Sequence, residues 1–142
     1  MATDISDRQN AMRCPRAAIR RAVAAAMRRA GRRADLSIVL VDDAEMAALN
    51  ERYLNHAGPT DVLAFPYEAD EDRVCGEIVL NAQRAAAEAA GRRHSAEGEL
   101  MLYLVHGLLH LLGCDDARPA QRREMRRREA ELLAEVGYDV DF

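Results

Sequence analysis

A chain of 142 residues that is 49% apolar has material for one real core and too little for two ordinary ones, so residues 1–142 are read as a single domain. No run reaches the roughly 18 to 20 apolar residues of a membrane span, and the opening "MATDISDRQN" lacks the charged-then-apolar order of a secretory signal, so the expectation is a cytoplasmic protein with no membrane partner. A net charge of −4 argues against nucleic acid at first sight, but all 20 basic residues are arginine and they crowd the two ends of the chain.

In chain order, a first helix is expected from about Pro15 to Gly31, with Ile19, Val23, Met27 and Ala30 on one stripe and arginines on the other. "LSIVLV" (36–41) is rich in β-branched residues and reads as a strand. Asp42 with Glu45 three residues on is a capping-box pattern that opens a helix to about Leu54. "TDVLAFP" (60–66) and "CGEIVLN" (75–81) read as two further strands, joined by the acidic loop "YEADEDR". Helix resumes after Asn81 as far as Gly91. Ser95 then caps a helix that Gly113 stops, and a last helix from Pro119 turns Met125, Leu132, Leu133 and Val136 inward and Arg122, Arg123, Arg126 and Arg127 outward. Three strands and five helices make a small mixed α+β domain. The three cysteines form no C-x-x-C pair, so reduced thiols are expected. Arginine grips phosphate in a fork, which suits the arginine-dense ends to RNA; a solvated helix face is the default reading of the same residues.

The helix before Gly113 carries the chemistry. From Leu100 to Leu112 its only non-apolar residues are Tyr103, His106, Gly107 and His110, so it is expected to be central and buried. His106 and His110, four apart, share one helix face and reach one metal ion. Two imidazoles on an apolar helix would each need a partner if no ion were bound, and few polar neighbours are in sight. A zinc ion would take both and draw a third ligand from just beyond the helix, where Gly113 lets the chain turn back. Asp116, ten residues after His106, completes H-x3-H-x2-G-x2-D, which has the spacing of the metzincin metalloproteases, H-E-x-x-H-x-x-G-x-x-H. Two features differ: Gly107 stands where those proteases carry their water-activating glutamate, and Asp116 stands where they carry a third histidine. Cys114 and Asp115 are rival third ligands, and Asp116 is preferred on its spacing to both histidines. His56 and His94 are expected in exposed loops, and Tyr103 is read as core packing.

The run "HGLLHLLGCDD" resembles the H-G-x-L-H-L-x-G-[YFC]-D-H signature of the YbeY family of bacterial metal-dependent endoribonucleases. "LNERYLNHAGPTDVLAFPYE" is similar to the family's L-N-x-x-[YF]-R-x-x-x-x-P-T-D-V-L-S-F-P segment, "CGEIVLN" to its G-D-I-x-[IL] strand, and "REMRRREAELL" to its M-x-x-x-E-x-x-[IL]-L ending, over roughly residues 36–136. The resemblance implies one Zn2+ per chain on three ligands in a cleft. It implies action on single-stranded RNA in forming the 3′ end of 16S ribosomal RNA and in ribosome quality control, with the 16S precursor, the small ribosomal subunit and its associated proteins as partners. Thr60 and Asp61 would border the substrate. Leu54 replaces the arginine that the resemblance assigns to an RNA phosphate, and Arg52, two residues away, substitutes for it only if the backbone turns it toward the cleft. Ala64 and Glu77 replace the family's serine and aspartate.

The chemistry expected is zinc-assisted phosphodiester cleavage, the ion polarising a phosphoryl oxygen. His106 and His110 hold the reacting centre; the general base is left open between Asp115, hydroxide on the ion and none. Asp115 also reads as a residue that hydrogen-bonds loop amides or orients a histidine. Two other functions share these residues: a non-catalytic ribosome-associated RNA-binding protein with a structural zinc, and a zincin-like metalloprotease, which Gly107 disfavours.

Overall fold

The computed structural model describes residues 2–67 and 70–140, so part of the acidic loop expected at 67–73 lies outside the described residues. Its elements are β1 (Ala2–Asp7), α1 (Arg16–Ala30), β2 (Arg33–Val41), α2 (Asp43–Leu54), β3 (Val62–Pro66), β4 (Arg73–Asn81), α3 (Ala82–Ala89), α4 (Ala96–Leu111) and α5 (Pro119–Glu135). The local signals act as their chemistry predicts. The Asp42 carboxylate accepts the Glu45 amide at 2.9 Å and the Ser95 hydroxyl accepts the Gly98 amide at 3.1 Å, each satisfying a helix N–H that would otherwise lack a partner. Gly113 takes φ 94 just beyond α4, a left-handed conformation that a residue with a Cβ resists.

The strands form one sheet in the order β1-β2-β4-β3, with β1, β2 and β4 parallel and β3 antiparallel at an edge. This α+β architecture agrees with the sequence reading except for β1, a fourth strand that the reading lacked. The reason is physical: "ATDISD" packs only Ile5 partly against the core, so it carries no apolar alternation, and its ladder to β2 defines it instead. Two arginines of α1 cover its carbonyls, Arg16 donating to Ile5 O at 3.0 Å and Arg20 to Thr3 O at 2.5 Å.

The sheet separates two cores. On one face Leu36, Ile38, Leu40, Val74, Ile78 and Leu80 pack with α1, α3, α4 and α5; on the other, Leu63 and Val79 pack with Met46 of α2. The all-round apolar α4 touches α1, α3, α5, β3 and β4. Its Leu100, Met101, Leu104 and Leu108 are fully buried, each worth about 1.5–3 kcal/mol relative to exposure. Gly107 is what lets α4 lie so close to the sheet: a Cβ there would stand 3.1 Å from Ile78 Cγ2 and 3.2 Å from Val62 Cγ2.

Two side chains differ from expectation. Ala30 is exposed, because it sits at the C-terminal end of α1 beyond the last residue covered by the core. His94 is not a free loop residue: its side chain is 4% exposed and its Nε2 lies 2.5 Å from Glu99 Oε1, a buried carboxylate that needs a polar partner. The arginine faces of α1 and α5 carry their own counter-charges. Arg28 and Arg29 pair with Glu135, Arg127 with Glu124 and Glu131, and Arg128 with Glu124.

Candidate metal centre

One turn of α4 sets His106 above His110, as the four-residue spacing requires. Their rings meet edge to face with centroids 4.5 Å apart, and the two Nε2 atoms stand 3.0 Å from one another. Past Gly113 the chain turns back and delivers Asp116, whose Oδ2 lies 3.5 Å from His106 Nε2 and 3.6 Å from His110 Nε2. Both histidine side chains stay about 30% exposed, at 27% and 33%, so the cluster is open on one side.

These three atoms fit a metal ion. Donors about 2.0–2.2 Å from a tetrahedral ion would be separated by about 3.4 Å, close to the spacings found here. Two ring nitrogens that face one another and a carboxylate also need a shared cation or proton to relieve their lone-pair repulsion. His106, His110 and Asp116 are therefore able to hold a metal ion. The other two candidates are occupied elsewhere. Cys114 packs against the core and its Sγ accepts from Arg128 at 3.2 Å. Asp115 accepts the amides of Asp116 and Ala117, at 2.8 and 3.3 Å, and so stiffens the loop that carries Asp116.

The residue that sequence reasoning missed is Glu129. It lies on the inward stripe of α5 with Met125, Leu132 and Leu133, it is 1% exposed, and its Oε2 accepts from His106 Nδ1 at 2.9 Å. A proton held on Nδ1 leaves the Nε2 lone pair directed at the cluster, which is the tautomer a metal ligand needs. The Glu129 hydrogen bond pushes the His106 imidazole above its ordinary pKa. Burial opposes it, and the charges of Glu129, Asp116 and Asp61 add to the rise. The available signal was the glutamate in "REMRRREAELL", a charge placed four residues after a core methionine.

Earlier on the helix, Tyr103 is buried, as expected of a core residue. Its phenol is pushed far above the usual range by burial, then by its hydrogen bond to Glu99 and the charges of Glu99 and Asp61, so it stays neutral. Asp61 accepts the Val62 amide at 2.7 Å and the Thr60 hydroxyl at 3.4 Å at the start of β3, within electrostatic reach of His106. Thr60 O accepts from Asn81 Nδ2 at 3.0 Å. Arg52 is on α2, with its guanidinium 5.3 Å from the centre of the Tyr53 ring. Leu54 is 44% exposed.

The model of the family described as Endoribonuclease YbeY matches residues 4–137 of the chain. The chain belongs to the YbeY family. Endoribonuclease YbeY of Thermobifida fusca is 43% identical over 110 residues, covering 71% of each chain. The protein of that name from Nocardioides sp. is 44% identical, covering 71% of this chain and 74% of its own. A protein from Thermotoga maritima solved in solution is 20% identical and superposes with a TM-score of 0.64 over 94% of this chain and 90% of that one, a likeness of fold. The YbeY match spans all four motif segments quoted above. Among the described residues, no helix of this YbeY-family chain is long and apolar enough to cross a membrane.

Proposed function

We propose that this YbeY-family chain is a zinc-dependent endoribonuclease, specific for single-stranded RNA, that acts as one domain in the cytoplasm. Its proposed work is maturation of the 16S ribosomal RNA 3′ end and ribosome quality control, with the 16S precursor, the small ribosomal subunit and its proteins as partners. The observation that carries the reading is the convergence of His106 Nε2, His110 Nε2 and Asp116 Oδ2, backed by buried Glu129. The activity itself comes from the names of the relatives.

His106, His110 and Asp116 would hold the ion. When bound, it supplies Lewis acidity, drawing charge from a phosphoryl oxygen and making a nearby water more acidic. The chain does the rest by positioning. Glu129 holds the Nδ1 proton of His106 and thereby keeps its ring in one tautomer and one orientation. Asp115 holds the loop amides and so fixes Asp116, a role its contacts support better than that of general base. Asp61, at the start of β3 and within electrostatic reach of His106, would border the substrate with Thr60. The packing at Gly107 crowds the glutamate of a zincin protease, since even a single added carbon would stand 3.1–3.2 Å from Ile78 and Val62.

Exposed Leu54 in place of the family's arginine supports the second reading, a non-catalytic RNA-binding protein with a structural zinc. The test is cleavage of a labelled single-stranded RNA and its duplex by protein loaded with zinc, beside His106→Ala. Cleavage of the single strand alone, lost in the variant and with chelator, supports the nuclease. RNA binding with full zinc and no cleavage hands the chain to the second reading.

A further inference from the structure

The large apolar side chains exposed among the described residues are Tyr53, Leu54 and Tyr67. Tyr53 and Tyr67 are 57% and 58% exposed, and with Leu49, Phe65 and Glu77 they line an open cavity of about 270 Å3 between α2 and the β3 edge. Two exposed tyrosine rings lining one cavity, rather than apolar side chains scattered singly, mark a binding surface. The cavity lies just below the roughly 300–1,000 Å3 of pockets for drug-sized ligands, which suits one planar heterocycle.

Its polar groups narrow the ligand. Glu77 stands directly across the strand pair from Phe65, and its Oε2 accepts the Tyr67 hydroxyl at 3.1 Å, which leaves the second carboxylate oxygen for an N–H of the ligand. Tyr53 meets Phe65 edge to face at 5.8 Å, and the Arg52 guanidinium lies 5.3 Å from the Tyr53 ring centre. Aromatic faces, a hydrogen-bond acceptor and a cation beside them are what a nucleobase and its phosphate require.

The cavity and the metal centre lie on opposite faces of the sheet, on either side of the β3 edge. Side chains alternate along β3, so Val62 faces Gly107, next to His106, while Phe65 faces the α2 side. Three residues of strand separate them, about 10 Å of rise, and β3 is the edge of the sheet. We infer that the Tyr53–Phe65–Tyr67 cavity is a nucleobase subsite. It stacks one base of a single-stranded RNA that crosses the β3 edge from the metal centre, with Glu77 reading an amino group of the base and Arg52 near its phosphate. The inference rests on the RNA reading above.

The chemistry also sets a preference. Adenine and cytosine present exocyclic amines to a carboxylate, whereas uracil flanks its one N–H with two carbonyl oxygens that repel it. The test is fluorescence anisotropy with short labelled oligo(A), oligo(C) and oligo(U), using the full chain loaded with zinc, with zinc content and thermal melting checked for each variant. Tyr53→Ala/Tyr67→Ala should lower affinity for oligo(A) roughly 5- to 150-fold per stacked base, and Tyr53→Phe/Tyr67→Phe should restore most of it. Glu77→Gln should narrow the gap between oligo(A) and oligo(U). If the parent binds none of these RNAs, the RNA reading falls and the subsite with it. If the parent binds and the double alanine variant, folded and with zinc, binds equally well, the subsite alone is overturned and the patch belongs to a protein partner.

Discussion

Glu129→Ala tests whether buried support matters as much as the ligands themselves. The carboxylate is 1% exposed and holds His106 Nδ1 at 2.9 Å. Removing it frees the ring to rotate and to change tautomer, so part of the binding energy must then be spent on ordering His106. Loss of such partners lowers metal affinity about 10- to 100-fold, or about 1.4–2.7 kcal/mol. The metal-free fold should also lose about 1.5–3 kcal/mol, the range for a hydrogen bond to a charged group. Glu129→Gln keeps an acceptor oxygen and the volume but not the charge, and belongs at the low end of both ranges. Zinc affinity is to be measured by competition with a chromophoric chelator, at a pH above the imidazole titration so that protons do not compete. Stability comes from urea unfolding of the metal-free protein. Glu129→Ala with the zinc affinity of the parent would refute the reasoning, and Glu129 would then be a buried residue of the fold with no hold on the ion.

Further outcomes follow from the same contacts. Asp116→Ala should leave two ligands and lose most of the zinc counted by elemental mass spectrometry. Asp116→His, which installs the family's residue, should keep it, and full zinc in the alanine variant would move the third ligand elsewhere. Gly107→Ala sets about 1 kcal/mol of helix propensity against a crowding cost of about 1–3 kcal/mol at 3.1–3.2 Å from Ile78 and Val62, so a lowered melting temperature is expected. Gly107→Glu should fail to fold. Asp115→Ala should weaken zinc binding less than Asp116→Ala, because it frees the loop and removes no ligand. Tyr138 donates to Glu97 at 3.0 Å and its phenol is pushed up to about 12, by burial first and then by that bond. A pKa raised on folding contributes stability that is complete below the unfolded value of about 10 and is lost as pH rises through the folded one. Tyr138→Phe should therefore flatten the fall in melting temperature between those values, and an unchanged alkaline profile would remove Tyr138 from the account.

Features that depend on neighbours within a few residues can be read from the chain alone. The caps at Asp42 and Ser95, the all-round apolar α4, and the stop at Gly113 are local, and helix geometry alone puts His106 beside His110. Asp116 was legible because a short turn leaves it little choice of position. Tertiary structure decided what is brought together from distant parts of the chain. Glu129 reaches His106 from 23 residues away, and its charge in "REMRRREAELL" reads as one more solvated residue until α5 is seen to pack on α4. β1 has no apolar alternation and exists because β2 offers an edge. His94 looked like a loop histidine until the buried Glu99 required a partner. Tyr53, Phe65, Tyr67 and Glu77 come from α2, from the β3 edge and its following residue, and from β4, and only the antiparallel register of β3 on β4 makes one cavity of them. A short-range pattern fixes which side chains can share a face, whereas packing between elements fixes which faces meet.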